Sequence, residues 1–261
     1  MTPELEMAAA ELTHHSHVVC LTGAGMSVES GIRPFRGPGG LWTEHGEPDL
    51  NDYQRFKRNP NEYWKNLLHP QGFMAELHDA LRAATPHAGH VALADLESLG
   101  VVSFTITQNI DGLHGRAGSR RLAEIHGNHR LARCVNCGRR VPMEDVCVDT
   151  LPPCCPMCDG LLKSDIVVFG EPIPDDVART CIDEIEQADC LLMVGTSAYV
   201  YPAAGFPRHV KTNGGTLIEI GPHPTEISDE CDIIMRDTAS YALPALLAVV
   251  RQRLASNARN G

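Results

Sequence analysis

The stretch Val101-Val-Ser-Phe-Thr-Ile106 leads into Thr107-Gln-Asn-Ile-Asp-Gly-Leu-His114, and a short charged segment then reaches His126-Gly-Asn128. A β-branched and aromatic run of this length, bounded by turn-forming residues, predicts a strand. The end of this strand carries two amides and a carboxylate within four residues, at the position where α/β proteins bind ligands. Taken alone, residues 109–111 could equally form a polar turn, so the rest of the chain has to decide.

Similar apolar runs alternate along the chain with amphipathic helical patterns. The strand-like runs are Val18–Thr22, 101–106, Cys190–Val194, Thr216–Ile220 and 231–235, and the clearest helical patterns are Phe73–Ala83, 87–99 and 238–254. This alternation predicts an α/β protein with a doubly wound parallel sheet. Residues 36–87 are rich in proline, glycine, asparagine and aromatic residues, so they predict a helical insert.

Each predicted strand is followed by a small or polar loop, and in an open parallel sheet these loops meet at one edge. Gly23 and Gly25 permit a tight turn and a close approach of the backbone to a pyrophosphate, and Ser27 and Ser197 offer hydroxyls. We therefore predict a dinucleotide ligand. Val28 stands where the third glycine of Gly-x-Gly-x-x-Gly would be, which disfavours an ordinary nicotinamide dehydrogenase.

Composition limits the possible partners and compartment. The chain has 261 residues and a formal net charge of −11, which disfavours nucleic acid or an anionic membrane as the main partner. It contains no apolar run long enough for a membrane helix, and its N-terminus lacks the basic flank of a secretory signal. These features predict a cytoplasmic protein, and they make no prediction of its oligomeric state.

Ten cysteines in a reducing compartment do not predict disulfides. Two Cys-x-x-Cys knuckles, formed by Cys134 with Cys137 and by Cys155 with Cys158, lie 17 residues apart and predict a closed four-thiolate zinc site of the structural kind. Such a site has no open position for water. Cys147 and Cys154 are predicted to be bystanders, and the remaining four cysteines are predicted to be buried small side chains, namely Cys20, Cys181, Cys190 and Cys231.

Several motifs together resemble the sirtuin family. They are Gly23-Ala-Gly-Met-Ser-x-x-Ser-Gly-Ile32, Phe35-Arg36-Gly37, Thr107-Gln-Asn-Ile-Asp-x-Leu-His114, Glu124-Ile-His-Gly-Asn128, the two knuckles, Val167-Val-Phe-Gly-Glu171 and Gly195-Thr-Ser197. The resemblance implies NAD⁺-dependent removal of acyl groups from protein lysines. It also implies a Rossmann-like domain of residues 1–35, 88–127 and 164–261, with the insert 36–87 and a zinc ribbon of 128–163 forming a small domain.

The resemblance also assigns roles to the residues of the opening stretch. His126 would be the general base that takes a proton from a ribose hydroxyl, a task suited to a neutral imidazole. Asn109 and Asp111 would hold the nicotinamide carboxamide, with Ile110 as a wall. The alternatives are a capped histidine in a turn for His126 and plain turn residues for the other two.

The remaining contacts implied by the resemblance divide between NAD⁺ and the acylated peptide. Phe35 and Trp42 could equally be core aromatics, and 167–171 could equally be a core strand rather than an edge that pairs with an extended substrate peptide. The NAD⁺ set comprises Gly23, Ala24, Gly25, Ser27, Phe35, Arg36, Trp42, Gln108, Asn109, Ile110, Asp111, Gly195, Thr196, Ser197, Gly221 and Ala239. The substrate set comprises Val167, Val168, Phe169, Gly170, Glu171, Leu67 and Pro70.

This chain departs from the family pattern at the predicted acyl pocket. Family members that remove succinyl groups carry a Tyr-x-x-Arg pair, and alignment places Leu67 and Pro70 there, so no cation is supplied for an acyl carboxylate. We expect weak desuccinylase activity and a preference for neutral acyl groups, including ones longer than acetyl. Gly221 and Asp237 also differ from the family pattern and imply altered NAD⁺ affinity. Two alternatives stay open, a protein ADP-ribosyltransferase and a non-catalytic NAD⁺ sensor.

Overall fold

The structure is a computed structural model that describes residues 2–260. These residues form nine strands and ten α-helices. The strands are β1 Val18–Thr22, β2 Phe104–Thr107, β3 Leu122–Glu124, β4 Leu131–Cys134, β5 Arg140–Pro142, β6 Leu162–Ser164, β7 Cys190–Val194, β8 Thr216–Ile220 and β9 Ile233–Met235. The helices are α1 Pro3–His14, α2 Leu41–His45, α3 Asp52–Arg58, α4 Pro60–Leu68, α5 Phe73–Ala83, α6 Ala88–Ser98, α7 Leu113–Ala117, α8 Asp175–Gln187, α9 Phe206–Thr212 and α10 Ala239–Asn260.

Six parallel strands form the large sheet in the order β3-β2-β1-β7-β8-β9. Counted within this sheet, the order is 3-2-1-4-5-6, which is the dinucleotide-binding arrangement. Helices α1, α6 and α10 bury one face of the sheet, and α8 and α9 bury the other. The predicted α/β, doubly wound parallel fold is confirmed. Strand order reverses between β1 and β7, so a ligand crevice is expected at their carboxyl ends.

A second, antiparallel sheet has the order β5-β4-β6. Trp64 of α4 is fully buried against this sheet, and its indole nitrogen donates a hydrogen bond to the carbonyl of Leu162 at 2.8 Å. We call α2–α5 together with β4–β6 the small lobe. The predicted insert 36–87 contains α2–α5, and the exact domain boundaries stay a prediction.

Some predicted boundaries are wrong for local reasons. Strand β2 begins at Phe104 rather than 101, because the amides of Val101 and Val102 donate to the carbonyl of Leu96 and close the end of α6. Strand β9 begins at Ile233 because Cys231 belongs to the preceding turn, where its amide bonds to Ser228. Strand β3 was not predicted, since three residues at the sheet edge give little periodicity. No helix within residues 2–260 is long and apolar enough to cross a membrane.

Candidate active site and zinc centre

A cleft of about 1760 Å³ lies between the carboxyl ends of the large-sheet strands and the small lobe. His126 and all but three of the residues predicted to bind NAD⁺ or substrate line it; the exceptions are Ser27, Asp111 and Ala239. Ala239 is buried at the start of α10, and its neighbour Thr238 lines the cleft instead. The strand ends therefore bring residues that are far apart in sequence to one edge, as the parallel sheet requires.

The loops after β1 and β7 touch at the point where strand order reverses. The amide of Gly25 donates to the carbonyl of Gly195 at 2.8 Å. A Cβ on Gly25 would lie 2.7 Å from the Cα of Gly195, and Gly195 itself has a φ of +58°. Only glycine permits this approach, because a side chain on either loop would force the two backbones apart.

Asn109, Asp111 and Ser27 form a buried hydrogen-bonded group behind the cleft wall. The side-chain amide nitrogen of Asn109 donates to the Gly23 carbonyl at 3.0 Å and to the Ser27 hydroxyl oxygen at 3.1 Å. Ser27 donates in turn to Asp111 at 2.7 Å. Both amide protons of Asn109 are thus used, and within residues 2–260 its side-chain oxygen has no partner. This oxygen is the acceptor that the group presents to the cleft.

Burial raises the pKa of Asp111, although hydrogen bonds from the Leu113 amide and the Ser27 hydroxyl oppose the shift. Asp111 was predicted to accept a hydrogen bond from the carboxamide directly, and its carboxylate is only 3% exposed. The Asp111 carboxylate accepts a hydrogen bond from the Ser27 hydroxyl, and the oxygen of that hydroxyl accepts one from the side-chain amide of Asn109. In this structure the carboxylate therefore orients the amide that lines the cleft.

The His126 ring is held in the form that a general base needs. Its Nδ1 lies 3.0 Å from the carbonyl oxygen of Gln108. Because a carbonyl only accepts, Nδ1 carries the proton and Nε2 keeps its lone pair. Burial lowers the pKa of His126, and the Gln108 carbonyl partly opposes this shift. Gln108 is fixed by its own side chain, which donates to the Thr196 hydroxyl at 2.7 Å.

Arg36 joins the loop before α2 to the loop after β7. Its guanidinium pairs with Glu47 at 2.7 Å and lies between the rings of Trp42 and Tyr199, at 4.5 and 4.6 Å from their centroids. Tyr199 is not among the residues predicted from the sequence. Its position just after the Gly195-Thr-Ser197 motif was the available signal. Arg36 therefore connects these two loops beside the cleft.

Phe35 and Trp42 are both half-buried, so they act partly as core aromatics and partly as residues that line the cleft. Their ring centroids lie 4.7 Å apart, they pack against a small core cluster that includes Leu41, and they line the cleft. Trp42 also makes an edge contact with Phe169 at 5.6 Å. The aromatic pair thus connects the predicted NAD⁺ region with the predicted peptide segment.

The segment 167–171 is irregular and half-buried rather than a core strand. The amide of Val167 donates to the carbonyl of His126 at 2.8 Å, which places the segment beside the predicted base. At the end of the segment, the side chain of Glu171 is only 3% exposed and pairs with Arg133 and Lys163. Its side chain is therefore not free to contact a peptide.

The predicted acyl wall carries no charge. Leu67 and Pro70 line the cleft, and Leu67 packs against the cluster around Trp64.

At the other end of the cleft, a Cβ on Gly221 would meet nothing within 4 Å, so this position has room for a larger side chain. Asp237 accepts a hydrogen bond from the Thr238 amide, which is a local turn contact.

The four predicted zinc ligands lie together at one end of the small lobe. The sulfurs of Cys134, Cys137, Cys155 and Cys158 are all within 4.8 Å of one another, with two pairs at 3.5 and 3.8 Å. Zinc–sulfur bonds of about 2.3 Å in a tetrahedron require sulfurs about 3.8 Å apart, so the group fits Zn²⁺. Four thiolates fill the coordination shell, which makes the site structural. Cys147 and Cys154 lie outside it, as predicted.

A sequence model of the Sir2 family matches residues 23–202. The chain belongs to the Sir2 family. A relative from Pyrobaculum aerophilum named NAD-dependent protein deacylase 2 is 43% identical over 95% of this chain and 97% of its own. One from Caldivirga maquilingensis named NAD-dependent protein deacetylase is 39% identical over 95% of both chains.

Solved structures agree with this assignment. A Sir2 homologue in complex with NAD has a TM-score of 0.79 at 38% identity, covering 95% of this chain and 94% of its own. A Sir2 complex with p53 peptide and NAD⁺ has a TM-score of 0.75 at 31% identity and covers 99% of both chains. The protein is thus a sirtuin, an enzyme of the NAD-dependent protein deacylase family, with a four-cysteine group suited to structural zinc.

Proposed function

We propose that this sirtuin removes neutral acyl groups from lysine side chains of protein substrates bound as extended peptides, with NAD⁺ as co-substrate. One observation carries the proposal. The His126 Nε2 is unprotonated in a cleft that also contains the Asn109 amide and the backbone edge at residues 167–170. A base, an amide acceptor and a peptide edge at one place are what acyl transfer from lysine to a ribose hydroxyl requires.

Each of these residues has its own proposed role in the reaction. The Asn109 oxygen accepts from the nicotinamide end of NAD⁺, and the touching loops at Gly25 and Gly195 bring backbone amides to the pyrophosphate. The acyl-lysine carbonyl oxygen attacks the ribose carbon as nicotinamide leaves. His126 then takes the proton from a ribose hydroxyl, and that oxygen captures the acyl carbon. The lysine nitrogen leaves the acyl carbon as the free amine, and one water supplies the oxygen that completes the ester. The products are therefore free lysine, nicotinamide and O-acyl-ADP-ribose.

The preference for neutral acyl groups follows from the charges around Leu67 and Pro70. Burying a carboxylate without a cation costs several kcal/mol. Two arginines of the cleft, Arg58 and Arg82, have no ion-pair partner within residues 2–260, and both are exposed. Water screens an exposed guanidinium, so neither compensates for a carboxylate buried against Leu67.

The test is nicotinamide release with one lysine peptide carrying acetyl, butyryl, octanoyl or succinyl groups in turn. We expect release with the neutral acyl groups and the slowest release with succinyl. Adenine-labelled NAD⁺ distinguishes the alternatives. Label in O-acyl-ADP-ribose supports deacylation, label retained on protein supports ADP-ribosyl transfer, and NAD⁺ binding without release supports a sensor.

A further inference from the structure

A buried group of charged side chains joins β4 and β6 of the small lobe to the segment 167–171. One carboxylate oxygen of Glu171 accepts from Arg133 at 2.6 Å, and the other lies 2.9 Å from the ammonium of Lys163. The second oxygen also accepts from the amide of Val168 at 3.1 Å. The side chains of Glu171 and Lys163 are 3% and 1% exposed. Glu171 is therefore held by three donors in the protein interior.

The position of the two cations makes Glu171 necessary. Arg133 and Lys163 are directly paired in the register of β4 and β6, so two positive side chains lie opposite each other across neighbouring strands. Like charges in this position repel, and burial strengthens the repulsion. The carboxylate of Glu171 lies between them and offsets one of the two positive charges. Arg133 has one further partner, Asp165, at 3.1 Å.

Glu171 also closes the segment on itself. Its own amide donates to the carbonyl of Val168 at 3.0 Å, while its carboxylate accepts from the amide of the same residue. The amide of Tyr53 donates to the carbonyl of Phe169 and holds the segment from the other side. Within residues 2–260 this leaves the amides of Phe169 and Gly170 without partners. These are the donors available to an added peptide strand.

The zinc ligands begin one residue from this group. Cys134 directly follows Arg133 at the end of β4, and it lies opposite Leu162, the neighbour of Lys163. A displacement of β4 on loss of the metal would therefore move both cations that hold Glu171. The zinc ribbon, Glu171 and the free amides form a continuous chain of contacts.

We infer that Glu171 is a positioning residue that couples the zinc ribbon to the peptide-binding edge at residues 167–170. The inference rests on the proposed function, because it assumes that an acylated peptide binds at this edge. Coupling between two sites is reciprocal, so peptide binding tightens zinc as much as zinc tightens peptide. Most of the predicted NAD⁺ contacts come from the large-sheet loops, which Glu171 does not hold, so we expect NAD⁺ binding to change far less than peptide binding.

The experiment compares zinc-loaded wild type with Glu171→Gln and Glu171→Asp. The first variant removes the charge between Arg133 and Lys163. The second keeps the charge on a side chain one methylene shorter, so it tests position in a protein that folds. For both we expect the dissociation constant of a labelled acyl-lysine peptide, measured by fluorescence anisotropy, to rise roughly tenfold, with the KM for NAD⁺ within about twofold of wild type.

Two further readouts test the coupling itself. Saturating peptide should raise the chelator concentration that removes half of the zinc from wild type, and it should have no such effect on Glu171→Asp. Glu186→Gln on the exposed face of α8 removes one charge elsewhere and should behave as wild type. Wild-type peptide affinity in folded Glu171→Asp, or an unchanged zinc midpoint in wild type, would overturn the inference. Failure of wild type to release nicotinamide with any acyl-peptide would instead overturn the proposed function.

Discussion

The large-sheet wall of the cleft is held by hydrogen bonds between neighbouring strand ends, whereas the small-lobe wall is held by cysteine sulfurs, ion pairs and aromatic contacts. Asn109, Ser27 and Asp111 illustrate the first kind, since their short polar side chains satisfy one another a few residues from the strands that carry them. Glu171 illustrates the second, since its partners Arg133 and Lys163 come from two strands of another sheet.

The two walls of the cleft also differ in their proposed tasks, which are the reaction on one wall and the choice of acyl group on the other. The groups proposed to perform the reaction lie on buried loop ends, where a displacement would cost several hydrogen bonds at once. The groups proposed to select the acyl group, such as Leu67, lie on a lobe assembled from long-range contacts. Selectivity can change there without disturbing the base, and four variants test this separation.

Removal of zinc should have the largest effect, confined to the small lobe and to the segment 167–171 that β4 and β6 hold. We expect Cys155→Ala to lose its zinc and destabilise the ribbon by an amount on the order of 10 kcal/mol, because structural zinc supplies the folding energy of such modules. The neighbouring exposed thiol provides the control, Cys154→Ala, which should retain one zinc per chain. Metal analysis and hydrogen exchange check this. Equal protection loss in β1 and β4 would contradict the separation of the two walls.

Loss of the base should have the next largest effect, and only on the large-sheet wall. We expect His126→Ala to lower kcat for deacylation about 10²–10⁴-fold, since it removes proton transfer in the transition state. Binding of NAD⁺ and of the peptide should persist, because neither needs the imidazole. Calorimetry and steady-state kinetics check this, with His14→Ala on the exposed face of α1 as the control. Unchanged kcat would refute the role of His126.

Acid should weaken the large-sheet wall through buried histidines. The His114 ring is 1% exposed, its Nε2 bonds to the Thr22 hydroxyl, and burial lowers its pKa to about 4. Below the unfolded value near 6.5 the unfolded chain binds the proton first, so stability falls as pH falls toward about 4. Between about pH 7 and about pH 5 the loss attributable to His114 is about 2 kcal/mol.

His114→Gln should therefore reduce the loss of unfolding free energy over this interval by about 2 kcal/mol, measured by urea titration. His90 and His129, whose pKa values burial also lowers, account for a dependence that remains. His14→Gln should leave the dependence as in wild type, because His14 is exposed. A dependence in His114→Gln as steep as that of wild type would show that His114 does not contribute to the acid sensitivity.

A change at the acyl wall should have the smallest effect. We expect Leu67→Arg to raise the ratio of succinyl to acetyl turnover about tenfold, because a guanidinium supplies the missing partner for the acyl carboxylate. Leu67→Met keeps a similar volume without charge and should leave the ratio unchanged. Competition between the two acyl-peptides in one reaction gives the ratio directly. An unchanged ratio in Leu67→Arg would place the acyl group elsewhere in the cleft.

Much of this arrangement could be predicted from local sequence. Apolar runs predicted the large sheet, and the polar residues after them marked its ligand edge. Knuckle spacing predicted the metal ligands, including the exclusion of Cys154 from the cluster. Prediction was weaker where a residue's surroundings come from distant elements. In the helical pattern 87–99, for example, the apolar side chains of Ala88 and Leu99 are exposed, because α7 and α10 decide which sides of α6 are covered.

The sequence by itself determined the chemistry of this protein, and the tertiary structure decided how that chemistry is held. Strand periodicity, glycine spacing and cysteine spacing are local properties, so they can be read along the chain. Local sequence does not reveal that Asp111 orients Asn109 through Ser27, that Tyr199 covers Arg36, or that Glu171 is buried between Arg133 and Lys163. Those contacts join residues up to about 160 positions apart, and only the folded chain brings them together.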